Sequence, residues 1–146
     1  MKSRREFLAL LAAAAVAPAV LRAEASPLVE IWRSPQCGCC EDWTKHLQKN
    51  GFATKVNLVA DTTAARRAAG IPEALGSCHT ARVGGYSIEG HVPAKDIRRL
   101  LAEKPKATGL AIPGMQQSAP GMDNPGYPYN VLLVGLDGRT SIYQRY

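Results

Sequence analysis

Residues 28–50 read LVEIWRSPQCGCCEDWTKHLQKN and join a strand pattern to a helix pattern through a cysteine-rich turn. The first five residues of this stretch favour a strand, and the Ser-Pro-Gln segment that follows favours a turn. Residues 40–50 are helical in pattern, with Trp43 and Leu47 on one face and acidic residues in the first turn. The cysteines are therefore expected between the end of a strand and the start of a helix.

The patterns that follow predict the order strand, helix, strand, helix, strand, strand, helix. A C-x-x-C after the first strand of a βαβ unit is typical of thioredoxin-like proteins. We therefore predict an α/β fold of the thioredoxin-like, glutaredoxin type (βαβαββα). The predicted strands are 28–32, 52–58, 78–83 and 86–89, and the predicted helices are 40–50, 61–70 and 93–105.

The end of the chain adds two features to this pattern. Residues 106–128 form a Pro/Gly/Met segment without periodicity, which is too long for an ordinary connection and is therefore either functional or mobile. Residues 130–136 and 139–143 favour a last hairpin across Asp137-Gly138. The predicted fold thus carries a loop and an added C-terminal hairpin.

The start of the chain has the three parts of an export signal within residues 1–25. Arg4 and Arg5 directly precede an apolar run, which is the arrangement read by the twin-arginine pathway. An uncleaved membrane anchor is the alternative, but the run 8–21 is shorter than the ~20 apolar residues that a spanning helix needs. We expect cleavage, export to the periplasm and one domain over residues 26–146, with no stable membrane insertion afterwards.

Charge gives little indication of a polyanionic partner. The whole chain carries a formal charge of +6, and removal of the signal leaves about +4. The remaining basic residues are spread along the sequence, with only short pairs such as Arg66-Arg67 and Arg98-Arg99. A solvated surface explains them better than a nucleic-acid interface, so no nucleic-acid partner is expected.

The four cysteines are the most informative feature of the sequence. Three lie within Cys37-Gly38-Cys39-Cys40, and Cys78 begins the predicted third strand. Cys37 and Cys40 have thioredoxin spacing, whereas Cys39 adds a sulfur that a dithiol switch does not need. In a thioredoxin-like layout the third strand starts beside the loop after the first, so Cys78 is expected to approach the others. We predict a metal site of four thiolates, with a helix N-terminus lowering the pKa of Cys40.

Soft sulfur ligands favour copper(I) or zinc, and a nearby thioether favours copper. Met115 and Met122 each follow a glycine in the 106–128 segment, which suits a loop that covers a site. His79 directly follows Cys78 and is a candidate imidazole ligand, while His91 is a weaker candidate. We therefore predict bound copper, with copper(I) favoured over zinc.

Structural interpretations of the same residues stay open. An even number of cysteines in an exported protein is also consistent with two disulfides, although a Cys39–Cys40 bridge would be strained. A closed structural zinc site is a further alternative. The methionines are equally consistent with core filling, His79 with a hydrogen-bonded buried role, and His46 with a cation at a helix end.

Several motifs in one order resemble the CopG-type family of periplasmic copper-resistance and metal-binding proteins. The resemblance covers nearly the whole of 26–146 and implies a thioredoxin-like fold and a proposed redox role in copper handling. It also implies copper ligation by the four cysteines, with His79 and the loop methionines as additional ligands. The motifs are Cys37-Gly38-Cys39-Cys40 with Trp43, Ser77-Cys78-His79-Thr80-Ala81, Gly85-Tyr86, Ile88-Glu89-Gly90-His91-Val92-Pro93, Gly109-Leu110 and Pro113-Gly114-Met115.

The functional prediction is a periplasmic copper-binding protein that sequesters copper or converts its oxidation state, with other copper-handling proteins as partners. The alternative is a thiol-disulfide oxidoreductase in which Cys37 is the nucleophile and Cys40 the resolving thiol. A purely structural disulfide domain is the third class and predicts no metal.

Overall fold

The computed structural model of the protein describes residues 25–146. The predicted export signal, with Arg4 and Arg5, lies outside the described residues. The elements in chain order are β1 Leu28–Arg33, α1 Gly38–Lys49, β2 Ala53–Leu58, α2 Thr63–Ala68, a 3-10 turn Glu73–Leu75, β3 His79–Val83, β4 Tyr86–Glu89, α3 Ala94–Glu103, β5 Gly109–Ala111, β6 Asn130–Val134 and β7 Thr140–Arg145.

The strands within residues 25–146 form one mixed sheet of seven in the order β2-β1-β3-β4-β5-β6-β7. β1 pairs with β2 in parallel and with β3 antiparallel. β4 is antiparallel to β3 and parallel to β5, and β6 is antiparallel to both of its neighbours, β5 and β7. The predicted α/β class is confirmed.

Two apolar clusters lie on the sheet. The larger one packs side chains of α1 and α3, such as Trp43 and Ile97, against Ile31 of β1 and Ile88 of β4. The smaller one lies around Ile71, just after α2, together with residues of β5 and β6. Burial of this apolar surface is the main favourable term in folding. Because β1 and α1 both pack into the larger cluster, the turn that connects them is held at the end of the sheet.

Helix α1 begins two residues earlier than predicted, at Gly38, and its N-cap is Cys37. The Cys37 carbonyl accepts the backbone N–H of Glu41, which closes the first turn. Cys40, Trp43 and Leu47 lie on the buried face of the helix. Cys39 and Cys40 are therefore part of the helix itself, so their side chains are held by a regular backbone rather than by a loose turn.

The β3–β4 hairpin has a two-residue turn at Gly84-Gly85. Both glycines have positive φ, 55° and 85°, which is the backbone that a tight hairpin of this type requires. The register pairs Val83 with Tyr86 and Thr80 with Glu89. Continued by two residues, the same register brings position 78 opposite position 91.

The sequence predicted an irregular segment over residues 106–128, but the structure has a short strand within it. The segment contains the strand β5, which is inserted between β4 and β6 and makes the final hairpin part of the same sheet. The rest is a loop with internal hydrogen bonds, among them Met122 N–H to Ala119 O and Ser118 Oγ to Asn124 O. Periodicity missed β5 because three residues are too few to show a repeat.

Candidate metal centre

All four cysteine sulfurs converge at the start of α1. The four sulfurs lie within 4.8 Å of one another, so Cys78 approaches the C-x-C-C motif as the sequence predicted. Cys37 and Cys40 form a disulfide, and Cys39 and Cys78 are free thiols. The Cys39 sulfur lies 3.5 Å from that of Cys37. The strained Cys39–Cys40 bridge is not formed, and a second disulfide is not formed either.

A second set of donors overlaps the first. Ligand atoms of Cys40, Cys78, His79 and His91 also lie within 4.8 Å of one another. The Cys78 sulfur is 3.1 Å from His91 Nε2 and 3.4 Å from His79 Nδ1. Cys78 thus belongs both to a group of sulfurs and to a group of imidazoles, and the imidazole side of the centre is buried.

The His79 ring packs against two other rings, and only its Nδ1 atom faces a donor of the centre. Its ring is fully buried and lies 4.2 Å from the Trp43 ring and 5.1 Å from the His91 ring, measured between centroids. Its Nε2 atom is buried and has no hydrogen-bond partner among the described residues. Burial, with smaller contributions from His91 and Arg33, lowers the pKa of His79 to about 3. The ring is therefore neutral, which is the form that binds metal.

Cys78 is a thiol rather than a thiolate in the metal-free protein. Burial, followed by the neighbouring Cys39, raises the pKa of Cys78 to about 12. Cys40, whose pKa the sequence predicted to be lowered by a helix N-terminus, is in the disulfide and does not titrate. The Cys78 sulfur therefore becomes a thiolate only when a cation compensates its charge, and Cys37 and Cys40 can offer thiolates only after the disulfide is reduced.

The loop after β5 lies over this centre. Ser77 donates its hydroxyl to Gly114 O at 2.6 Å, and His91 Nδ1 lies 2.7 Å from Pro120 O. Because Pro120 O can only accept, the proton of the His91 ring lies on Nδ1, which leaves Nε2 free to face Cys78. Gly121 is so close to α1 that a Cβ atom would lie 2.8 Å from Cys39 O. The loop backbone is thus fitted against both sides of the centre.

The two loop methionines, predicted as ligands or as core residues, differ in exposure. Met115 is 44% exposed, which excludes core filling, and Met122 is half-buried. Both stay predicted ligands, since they flank the stretch of loop that contacts the centre.

His46 is not the predicted helix-end cation, because its Nε2 accepts the Ala94 N–H and burial lowers its pKa. Trp43 is a core residue, fully buried, and donates its indole N–H to Val92 O.

Comparisons with known proteins give a family for this arrangement. A family model described as a protein of unknown function, DUF411, matches residues 75–122. A solved structure of copper resistance protein CopG, Form 2, is 38% identical, with a TM-score of 0.77, and the match covers 83% of this chain and 98% of that one. CopG Form 1 is 39% identical, with a TM-score of 0.77 over 82% of this chain and 96% of that one.

The chain belongs to the CopG copper-resistance family. No curated protein matches it. The DUF411 match includes Cys78, both buried histidines and both loop methionines, whereas the C-x-C-C motif lies before it.

His91 is the site residue that sequence reasoning undervalued. It is 13 positions from Cys78 and shares no motif spacing with the cysteines, so it looked peripheral. The signal that could have found it is the predicted two-residue turn at Gly84-Gly85. Counting outward from that turn along an antiparallel hairpin pairs position 78 with position 91.

Proposed function

We propose that the protein binds copper(I) in copper resistance or handling, through the thiolates of Cys37, Cys39, Cys40 and Cys78 in its reduced form. The observation that carries this proposal is the convergence of four sulfurs on one point, in a chain of the CopG family. Thiolates are soft donors and suit copper(I).

The buried imidazoles extend the proposed site. His79 Nδ1 lies 3.4 Å from the Cys78 sulfur, and the ring is neutral, so this nitrogen could serve as an imidazole ligand. His91 Nε2 faces the Cys78 sulfur. Thioethers of Met115 and Met122 on the covering loop would add neutral soft ligands, which favours copper over zinc.

The test is a copper(I) titration of the fully reduced protein against a competing chelator, without oxygen. Wild-type protein is expected to bind at least one ion tightly, with poor competition by zinc. Cys78→Ser and Cys39→Ser are expected to weaken binding to a similar extent, because both sulfurs belong to one cluster. The oxidised protein, with the Cys37–Cys40 disulfide, is the matched comparison and is expected to bind more weakly.

Thermal unfolding of each variant would show that the fold is intact. Wild-type affinity in Cys78→Ser would contradict the four-sulfur site and leave a site made by the C-x-C-C motif alone.

The disulfide supports a redox role within the same proposal. When two thiolates form the Cys37–Cys40 disulfide, they release two electrons, which reduce two copper(II) ions to copper(I). Cys39 and Cys78 stay free beside the disulfide and would keep soft donors in the centre during this step.

The alternative function is thiol-disulfide exchange with a substrate protein. The half-exposed Cys37 sulfur and the buried Cys40 sulfur have the accessibility that an attacking and a resolving thiol need. That activity requires Cys37 and Cys40 alone, so full exchange activity in a Cys39→Ser plus Cys78→Ser variant would favour it over copper binding.

Three further assignments are part of the proposal. The β1-α1-β2 unit with Cys37 and Cys40 at the helix start supports a thioredoxin-like assignment. The sequence of residues 1–25 supports a signal read by the twin-arginine pathway and a periplasmic location, with copper-handling proteins as partners. No helix within 25–146 is long and apolar enough to cross a membrane.

A further inference from the structure

A buried ion pair lies directly beneath the segment that carries Cys78. The Glu89 side chain is fully buried at the end of β4. Its Oε1 accepts Arg66 Nε at 2.8 Å and the backbone N–H of Ser77 at 2.7 Å. Its Oε2 accepts the Thr80 hydroxyl at 2.6 Å. The carboxylate thus binds groups on both sides of Cys78 in sequence.

Arg66 binds the carbonyl of Ser77, whereas Glu89 binds its backbone N–H. Its guanidinium extends from α2 and donates to Ser77 O at 2.8 Å. The same side chain donates to Glu73 Oε1 at 2.9 Å and to Thr62 Oγ1 at 3.1 Å. Both backbone polar groups of Ser77 are therefore bound by one buried Arg–Glu pair.

We infer that Arg66 and Glu89 are positioning residues, which hold the Cys78 sulfur in the metal centre by fixing the backbone of Ser77. The inference deepens the proposed function and rests on it for its copper-binding consequence. Replacement of a buried ion pair by apolar side chains is often neutral for stability, so stability does not by itself account for this pair. Charge-assisted bonds to the backbone beside a ligand do account for it, because they orient the ligand.

The test uses Arg66→Met plus Glu89→Met, which removes both charges together and leaves no unpaired buried charge. The control is Arg99→Met plus Glu103→Met, an exposed Arg–Glu pair on α3 whose contacts are with Tyr143. Thermal unfolding is measured on both. If the buried pair has a purely structural role, the folded Arg66→Met plus Glu89→Met variant is expected to behave like wild type in the two measurements that follow.

The first measurement needs no copper. In a Cys39→Ser background with the disulfide intact, Cys78 is the one free thiol of the four cysteines. The rate of its alkylation by iodoacetamide reports how often the segment opens. We expect alkylation at least about tenfold faster in the buried-pair variant, because Ser77 is no longer held. The control variant is expected to react at the wild-type rate.

The second measurement is copper(I) affinity in the reduced protein with all four cysteines. Loss of groups that orient a metal ligand costs about tenfold to a hundredfold in affinity, and the buried-pair variant is expected to fall in that range. If wild type itself binds no copper, the proposed function is wrong, and the alkylation rates still decide the positioning role.

A folded buried-pair variant with wild-type alkylation and wild-type affinity would overturn the inference. Where that variant does not fold, Arg66→Gln plus Glu89→Gln is measured in the same way, since it removes both charges together and keeps polar side chains in the buried site. Faster alkylation in this variant supports the positioning role, and an unchanged rate overturns it.

Discussion

At the scale of single residues, the centre contains two titratable groups in their neutral forms. Burial favours the neutral forms of Cys78 and His79, and two of the four sulfurs are in a disulfide. A site of four permanent thiolates would be strongly self-repelling. Here the charge of the Cys78 thiolate develops only when a cation compensates it, and Cys37 and Cys40 are available as ligands only after the disulfide is reduced.

His91 provides the sharpest test at this scale. His91→Asn keeps a donor for Pro120 O at the position of Nδ1 but removes the ring nitrogen Nε2 that lies 3.1 Å from the Cys78 sulfur. We expect copper(I) affinity to fall by about tenfold or more, as for loss of a group that holds a metal ligand. His46→Gln is the control, because that imidazole bonds to Ala94 N–H instead. Equal affinities of the two variants would remove His91 from the centre.

At the scale of elements, the loop that follows β5 is fixed by its backbone, while its thioether side chains stay accessible. The Gly114 carbonyl accepts a hydrogen bond from Ser77, and the Pro120 carbonyl accepts one from His91. Gly121 packs against the start of α1. Because Gly121 has a φ of 89° and no space for a Cβ, a side chain there would separate the loop from α1.

The methionines of this loop give the second test. Met115→Leu plus Met122→Leu preserves volume and apolarity, at an expected cost below ~1.5 kcal/mol in the free energy of unfolding. Copper(I) affinity is expected to fall, because both thioethers are lost. Affinity and thermal stability are measured on the same sample, with Tyr127→Leu, an exposed residue of the same loop, as control. Unchanged affinity with a large loss of stability would assign the methionines to structure.

The elements also show what sequence reasoning could achieve. The strand before the C-x-C-C motif, the helix after it and the Gly84-Gly85 hairpin were predictable, because each has a local pattern or turn signal. The approach of Cys78 followed from the predicted topology. The strand β5 and the packing of Trp43 on His79 were not predictable, since one is too short for a period and the other joins residues 36 positions apart.

At the scale of the whole molecule, the proposed function depends on delivery to the periplasm. Arg4→Lys plus Arg5→Lys is expected to leave the precursor in the cytoplasm, because the paired guanidinium groups are the proposed export signal. Arg22→Lys, a single arginine of the same segment, is the control. Cell fractionation and the size of the product on a blot measure the outcome. Mature double variant in the periplasm would remove the twin-arginine assignment and leave the copper proposal intact.

The distribution of the donors along the chain has a consequence for folding. Three sulfurs lie within residues 37–40 and stay together in the unfolded chain, whereas Cys78 and the histidines join them only in the native state. A ligand stabilises a protein only by its preference for the native over the unfolded chain, and metals that bind unfolded cysteines stabilise less. Copper would therefore raise the unfolding temperature by less than its affinity implies. The remaining increase in the unfolding temperature would measure how much Cys78 and the two histidines add to the copper affinity of the native protein.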